Sequence, residues 1–185
     1  MKQYKTSNLV SSESSLNLGN TFIAGAGNDF ITGGPMNDTL KAGIGDDEVY
    51  GGEGDDQIFG GKDDDKLYGG GGDDKIFGGK DDDKIDGGRG DDKIFGSKGN
   101  DILYGCRGDD KLYGGKGADT YIISPGKDKF YRFNVVDGDV VAIDSSASYS
   151  IKTFRNHAII EHDEGSVLIK NISTSDLEAV IRIFS

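Results

Sequence analysis

The chain has 185 residues, of which 31 are glycine and only 34% are hydrophobic, and this composition argues against one large hydrophobic core. Its 33 acidic and 21 basic residues give a formal net charge of -12. That charge argues against nucleic acid and anionic membranes as partners, because both require a basic surface. The single cysteine excludes an intramolecular disulfide, and no apolar run in the sequence approaches the length of a membrane span.

Residues 1–23 precede a repeat and are predicted to cap it. Residues 1–20 are rich in serine and asparagine and contain no apolar stretch of the kind found in cleaved N-terminal secretion signals. Residues 15–23 look like a degenerate copy of the repeat described next, with Asn20 at its aspartate position and Phe22 at its apolar position. We expect at most a weak metal site here.

Residues 24–122 consist of eleven consecutive nine-residue units, with the consensus G-G-x-G-x-D-x-U-x, where U is a large apolar residue. The sixth position is aspartate in every unit: Asp29, Asp38, Asp47, Asp56, Asp65, Asp74, Asp83, Asp92, Asp101, Asp110 and Asp119. The eighth position is occupied by Ile31, Leu40, Val49, Ile58, Leu67, Ile76, Ile85, Ile94, Leu103, Leu112 and Tyr121. A register held through eleven copies predicts a repeat architecture.

Each unit is predicted to combine a turn with a short strand. Glycine and aspartate dominate the first six residues, and they favour turns in which several residues adopt positive φ. The last three residues alternate, so the U side chain points to one side and its neighbours to the other. Two units then close one flattened coil of 18 residues, and the U side chains fill its thin interior.

This motif resembles that of the RTX, or haemolysin-type calcium-binding, family over residues 24–122. The resemblance implies an all-β fold, a right-handed parallel β-roll (β-solenoid), with calcium ions held between successive coils. The chemistry agrees, because calcium takes six to eight oxygen ligands and glycine-rich turns leave backbone carbonyls free to point inward. The sixth-position aspartates add charged oxygens.

Stacking places these aspartates in two columns, one of six and one of five, with nine gaps between successive members. We therefore expect up to about nine calcium ions. Pro35 and Met36 depart from the consensus, which makes sites beside Asp38 the most doubtful, whereas Asp63 and Asp81 replace a glycine at a position where aspartate tolerates left-handed geometry. The units carry 23 acids and 12 bases, so we expect the roll to be unfolded without calcium.

The outward positions seven and nine form regular rows. One face carries Gln57, Lys75, Lys93 and Lys111 beside Phe59, Phe77, Phe95 and Tyr113, and the other face is less regular, with Tyr50, Tyr68, Asp86 and Tyr104. Two interpretations are open: β-propensity with charge balancing, or a flat docking face for glycan, ice or a partner protein.

After Tyr121 the nine-residue period is predicted to stop, and residues 123–185 are predicted to form a β cap of five or six antiparallel strands. The segment also looks like the cap that follows the repeats in RTX proteins. Its tail, Ala179 to Phe184 with upstream Asp176 and Glu178, resembles an uncleaved type I secretion signal. The resemblance thus implies export by the type I secretion machinery and an extracellular location.

No catalytic motif stands out, and His157 and His162 are expected to be surface residues of the cap. Cys106 replaces a glycine in a turn and is expected to be a free thiol. The sequence therefore predicts a non-enzymatic, secreted calcium-binding module. Two alternatives are a surface adhesin or glycan- or ice-binding protein that uses the aromatic face, and an accessory repeat module of a secreted enzyme.

Overall fold

The structure is a computed structural model that describes residues 3–4, 10–11, 19–144, 148–154, 157–170, 172, 176 and 181–184. Its described residues form two long sheets, and successive strands along the chain alternate between them except in the antiparallel segment near the C-terminal end. The large sheet contains, in spatial order, β1 (Gln3–Tyr4), β3 (Thr21–Ala26), β5 (Thr39–Ile44), β7 (Gln57–Lys62), β9 (Lys75–Lys80), β11 (Lys93–Lys98), β13 (Lys111–Lys116), β15 (Gly126–Tyr131), β19 (Gly165–Lys170), β18 (His157–His162) and β17 (Tyr149–Phe154). The small sheet contains β2 (Val10–Ser11), β4 (Phe30–Gly34), β6 (Glu48–Glu53), β8 (Lys66–Gly71), β10 (Lys84–Arg89), β12 (Ile102–Arg107), β14 (Thr120–Ile122), β16 (Val140–Asp144) and β20 (Ile181–Phe184).

The predicted parallel solenoid with an 18-residue coil is confirmed. Strands β9, β11 and β13 pair in parallel, with Ile94 opposite Ile76 on one side and Leu112 on the other. The solenoid makes about seven turns. Strand direction and register therefore follow directly from the nine-residue period, because two units always complete one coil.

The interior is a thin layer between the two sheets, filled as predicted by the U side chains. All eleven are at most 2% exposed, and Phe22 continues the row at the N-terminal end. The burial pattern of β9 shows that its fourth residue, Gly78, is also buried. A large and a small inward residue therefore alternate in strands β3 to β13, which keeps the two sheets close together there.

The predicted lengths of the turn and the strand within each nine-residue unit are wrong. The strands in the middle of the roll have six residues rather than three, since each runs from the seventh position of one unit to the third position of the next. Only three residues, such as Gly54–Asp56, remain as the turn between β6 and β7. The paired glycines at the first two positions thus lie in strands.

The expectation that the period stops after Tyr121 is also wrong. Strand β15 pairs in parallel with β13, with Lys129 opposite Lys111, so residues 123–131 complete one more unit. Strand β16 then pairs in parallel with β14 after a two-residue insertion, with Val140 opposite Thr120. The two sheets therefore continue past residue 122 without a break.

The C-terminal strands are antiparallel only in part. Strands β17, β18 and β19 form an antiparallel meander, as predicted for this end of the chain. Strands β15, β16, β19 and β20 pair in parallel with the coils before them, because they continue the solenoid rather than form a separate sheet. Of the predicted secretion signal, Ile181–Phe184 forms β20, whereas Glu178, Ala179 and Val180 lie outside the described residues.

Candidate metal centre

The structure brings the eleven predicted aspartates together in two columns, one at each edge of the roll. Turns that lead from the large to the small sheet carry Asp29, Asp47, Asp65, Asp83, Asp101 and Asp119, and turns that lead back carry Asp38, Asp56, Asp74, Asp92 and Asp110. Every one of these side chains is at most 3% exposed. Each carboxylate is therefore enclosed by its own turn and the coils stacked on it.

One oxygen of each carboxylate joins neighbouring coils. Oδ1 of Asp74 accepts a hydrogen bond from the backbone N–H of Asp56 at 2.7 Å, and Oδ1 of Asp92 accepts one from the N–H of Asp74 at 2.8 Å. The same contact repeats along both columns with distances of 2.6–3.0 Å. The aspartates thus tie each coil to the next, but this ladder uses only half of each carboxylate.

The second oxygen is the feature that points to a ligand. In ten of the eleven aspartates, within the part of the chain that the structure describes, Oδ2 is buried and has no hydrogen-bond partner: Asp38, Asp47, Asp56, Asp65, Asp74, Asp83, Asp92, Asp101, Asp110 and Asp119. A buried carboxylate oxygen without a partner loses its hydration and gains nothing in return. Ten such atoms in a regular array are acceptors of the kind that a bound cation would satisfy.

A backbone carbonyl of the next coil lies near these oxygens, as Gly51 and Gly69 show. A methyl group added to Gly51 would overlap Oδ2 of Asp56 and the carbonyl oxygen of Gly69, which lies one coil further along. The same arrangement occurs at Gly69, with Oδ2 of Asp74 and the carbonyl oxygen of Gly87. An oxygen from each of two coils therefore converges on the space beside the first glycine of the unit.

Two units fill that space with a methyl group. Ala24 and Ala42 replace the first glycine near Asp29 and Asp47, and both alanines are buried. The turn with Pro35 and Met36 also departs from the others, because Met36 is not among the described residues with positive φ, whereas Asp63 and Asp81 have φ of 73° and 72°. The prediction that aspartate preserves the turn at those two positions is confirmed.

A second row of carboxylates lies on the solvent side of each turn. Oδ1 of Asp55 accepts a hydrogen bond from the N–H of Asp73 at 2.9 Å, and Asp73 accepts in turn from Asp91 at 2.9 Å. This outer ladder runs opposite to the buried one, and its members are exposed. The two ladders together concentrate negative charge at both edges of the roll.

Burial perturbs the ionisation of the inner aspartates. Loss of hydration raises their pKa values, the backbone N–H bond lowers them, and neighbouring aspartates raise them further. The resulting pKa is about 6 for Asp47, Asp101 and Asp110, about 7 for Asp56, Asp65, Asp74 and Asp119, and about 8 for Asp83 and Asp92. With pKa values near neutral pH, these carboxyls are only partly ionised in the absence of metal. A bound cation would stabilise their ionised form.

Both columns end in an aspartate that the sequence analysis missed. Asp128 and Asp139 are each 1% exposed and accept the ladder hydrogen bonds from Asp110 and Asp119. Their second oxygens are satisfied by protein groups, because Ser124 Oγ donates to Asp128 at 2.8 Å and the Asn134 N–H donates to Asp139 at 2.7 Å. The nine-residue spacing from Asp119 to Asp128 was a usable signal, whereas the insertion before Asp139 hid the second one.

The residues present fit calcium. Among the described residues no three histidine, cysteine, aspartate or glutamate side chains cluster to hold a metal. The oxygens that come together between coils are of two kinds, an aspartate Oδ2 and a backbone carbonyl, as beside Gly51. Calcium accepts such mixed oxygen shells of six to eight ligands, whereas soft-ligand metals require thiolate or imidazole. The fold and the site define a calcium-binding β-roll.

Comparison with known proteins places this β-roll in a family. The family model of the RTX calcium-binding nonapeptide repeat matches four times, over residues 17–35, 32–67, 59–94 and 86–121. The chain belongs to the RTX calcium-binding nonapeptide repeat family. This confirms the resemblance drawn from the sequence. The search of curated proteins gave no significant match.

Solved structures with some likeness include the extracellular lipase LipA from Serratia marcescens, which is 17% identical with a TM-score of 0.37. The match covers 94% of this chain and 42% of the lipase chain. Another is the AlgE6R3 subunit of the Azotobacter vinelandii mannuronan C5-epimerase, 15% identical with a TM-score of 0.25, over 94% of this chain and 82% of that one. A search of the described residues for a long apolar helix that could cross a membrane found none.

Proposed function

We propose that this chain is a secreted, non-enzymatic calcium-binding module, in which ions bound between successive coils drive the folding of the roll. The observation that carries the proposal is the array of ten buried Oδ2 atoms without hydrogen-bond partners among the described residues. Without metal, burying so many carboxylates opposes folding. With calcium, each ion neutralises charge and ties two coils together, so binding and folding become one event.

The proposed ligands are the eleven sixth-position aspartates together with backbone carbonyls of the adjacent coil. One ion in each gap between successive members of the two columns gives up to nine ions. The gaps beside Asp128 and Asp139 are excluded, because Ser124 and Asn134 already satisfy the terminal carboxylates. We expect the weakest binding beside Asp29, Asp38 and Asp47, where Ala24, Met36 and Ala42 replace glycine.

Secretion through a type I system is part of the proposal. It is supported by the family, whose repeats are typical of secreted proteins, and by the resemblance of the C-terminal tail to signals of that system. A chain whose folding requires millimolar calcium would stay extended in a cytosol low in calcium and fold after export. A role in glycan binding at the cell surface is the second candidate, and the regular aromatic face of the large sheet favours it.

A calcium titration monitored by far-UV circular dichroism tests the proposal directly. Between excess chelator and about 10 mM calcium, we expect a cooperative change from coil to β-structure with a midpoint of roughly 0.1–1 mM, the range of extracellular calcium modules. Magnesium is the control and should not produce the change, because it demands rigid octahedral coordination. A chelated chain that is already fully β-structured would contradict calcium-driven folding.

Cys106 provides an independent reporter of the same transition. Burial, followed by the hydrogen bond that Sγ donates to Asp86 Oδ1 at 3.1 Å, raises the pKa of its thiol to about 12 in the folded roll. Only the thiolate reacts with iodoacetamide, so at pH 8 we expect alkylation to be at least about tenfold slower in calcium than in chelator. Mass spectrometry measures the alkylated fraction over time, with free cysteine as the reagent control. Equal rates in both conditions would show that calcium does not fold this part of the chain.

A further inference from the structure

The large sheet displays a continuous stack of aromatic rings on its outer face, here called the aromatic ladder: Phe59, Phe77, Phe95, Tyr113 and Tyr131. Neighbouring ring centroids lie 4.6–5.0 Å apart, and the ring planes differ by only 3–13°. Each inner ring therefore covers the faces of its neighbours. What the ladder offers to a ligand is mainly ring edges, which carry partial positive charge.

Lysines follow the aromatic ladder on both sides. Lys80, Lys98 and Lys116 are exposed and lie opposite one another at the ends of β9, β11 and β13. None of these three forms an ion pair with a residue that the structure describes. The seventh-position row beyond the rings adds Lys75, Lys93, Lys111 and Lys129, and strands β9, β11 and β13 contain no acidic residue. A basic face thus lies on a protein with a net charge of -12.

A groove runs between the aromatic ladder and the outer lysines. It has a volume of about 520 Å³ and is bounded by the rings of Phe95 and Tyr113 and by Lys80, Lys98 and Lys116, with Arg132 also lining it. Its lining includes glycines and Ser97, which have little or no side chain. Because the floor is low and the walls are an aromatic edge and a row of cations, the groove can seat an extended chain.

From this geometry we propose that the groove binds a linear polysaccharide that carries carboxylate or sulfate groups. Successive lysines are one strand spacing apart, about 4.8 Å, so a matching ligand needs anionic groups at a short and regular interval. Lysine ammonium groups pair with such anions as point charges, and the ring edges favour them as well. Single-stranded nucleic acid fits less well, because its bases bind by stacking on free aromatic faces. In the aromatic ladder, the faces of the inner rings are already covered by neighbouring rings.

The acidic net charge does not prevent this interaction once calcium is bound. The strands of this face contain no acids between β9 and β13, and the carboxylates are concentrated in the turns at the two edges. Calcium in the two columns neutralises many of them, and salt at physiological strength screens charges beyond about 8 Å. The inference therefore rests on the proposed calcium-folded roll.

The test measures binding of the full calcium-loaded chain to fluorescein-labelled dextran sulfate, polygalacturonate and neutral dextran by fluorescence anisotropy. Circular dichroism in each sample confirms that free calcium remains sufficient for folding, because anionic polymers also bind calcium. We expect both anionic polymers to bind at least about tenfold more tightly than dextran. Lys80→Gln, Lys98→Gln and Lys116→Gln together should weaken that binding about tenfold.

A matched control removes the same charge from the other face. Lys66, Lys84 and Arg89 are exposed on the small sheet, and their joint replacement by glutamine should leave polymer binding unchanged. Equal weakening by both triple variants would overturn the groove assignment, since only general charge would matter. Polyglutamate or a single-stranded oligonucleotide binding as tightly as the anionic polysaccharides would overturn the ligand assignment. If the chain folds with calcium but binds none of the polymers, only this inference is contradicted. If calcium does not fold the chain, the proposed function is contradicted.

Discussion

Replacing Asp74 and Asp92 by asparagine is expected to raise the calcium concentration needed for folding at least tenfold. Both side chains belong to the same column, are at most 2% exposed, and hold an Oδ2 without a hydrogen-bond partner among the described residues. Asparagine has the same shape but no charge, so it preserves the packing and weakens the electrostatic attraction for the ion. A tenfold loss of affinity corresponds to about 1.4 kcal/mol for each affected site.

The same double substitution should act in the opposite direction without calcium. Without metal, the buried carboxylates oppose folding because they lose hydration and repel one another, as the raised pKa values of Asp74 and Asp92 indicate. Removing two of them should therefore increase the β-structure that remains in chelator. A general folding defect cannot produce this pair of effects, because it would destabilise the chain in both conditions.

Asp73 and Asp91 provide the matched control. They precede Asp74 and Asp92 in the same units, but they are exposed and belong to the outer ladder. Asp73→Asn with Asp91→Asn removes the same charge, and the calcium midpoint in circular dichroism should change by less than about twofold. If both pairs raised the midpoint equally, the buried columns would have no special role in binding calcium.

The repeat was the part of the fold most accessible from the sequence. The interior admits one large residue per unit, so the apolar residue at the eighth position predicts the core. The aspartate repeated at the sixth position predicts both columns. Ser124 and Asn134 were invisible at that level, since their contacts with Asp128 and Asp139 depend on chain packing after the period has been disturbed. The positions of the buried aspartates were therefore predictable, and the place where each column ends was not.

The strand boundaries were mispredicted because glycine was interpreted only as a turn residue. Glycine at the first position is required by packing inside the roll and not by a turn. At Gly51 and Gly69, a side chain would overlap Oδ2 of the aspartate and a carbonyl oxygen. At the C-terminal end, alternating polarity predicted strands correctly but could not distinguish parallel from antiparallel pairing. Strands β15 and β16 stay parallel because the solenoid offers them an open edge in register.

In the absence of calcium, acidification is expected to increase the β-structure of the chain. The inner aspartates have folded-state pKa values of about 6 to about 8, above the value near 3.9 of an unfolded chain. Between these limits the folded state binds more protons, so its stability falls as the pH rises. The stabilisation is complete below the unfolded pKa and is lost as the pH rises through the folded values, by about 1.4 kcal/mol per pH unit for each extra proton.

Circular dichroism of the decalcified chain at pH 5.5 and pH 8.5 measures this effect. The protein concentration is kept low, because pH 5.5 is close to the isoelectric point of about 4.5, where a small net charge promotes association. We expect substantially more β-structure at pH 5.5, and a smaller gain on adding calcium there than at pH 8.5. The Asp74→Asn and Asp92→Asn variant should depend less on pH, while the Asp73→Asn and Asp91→Asn variant should behave like the parent. A decalcified chain that is equally unfolded at both pH values would show that protons cannot substitute for calcium, and that the ion contributes coordination between coils that neutralisation alone does not supply.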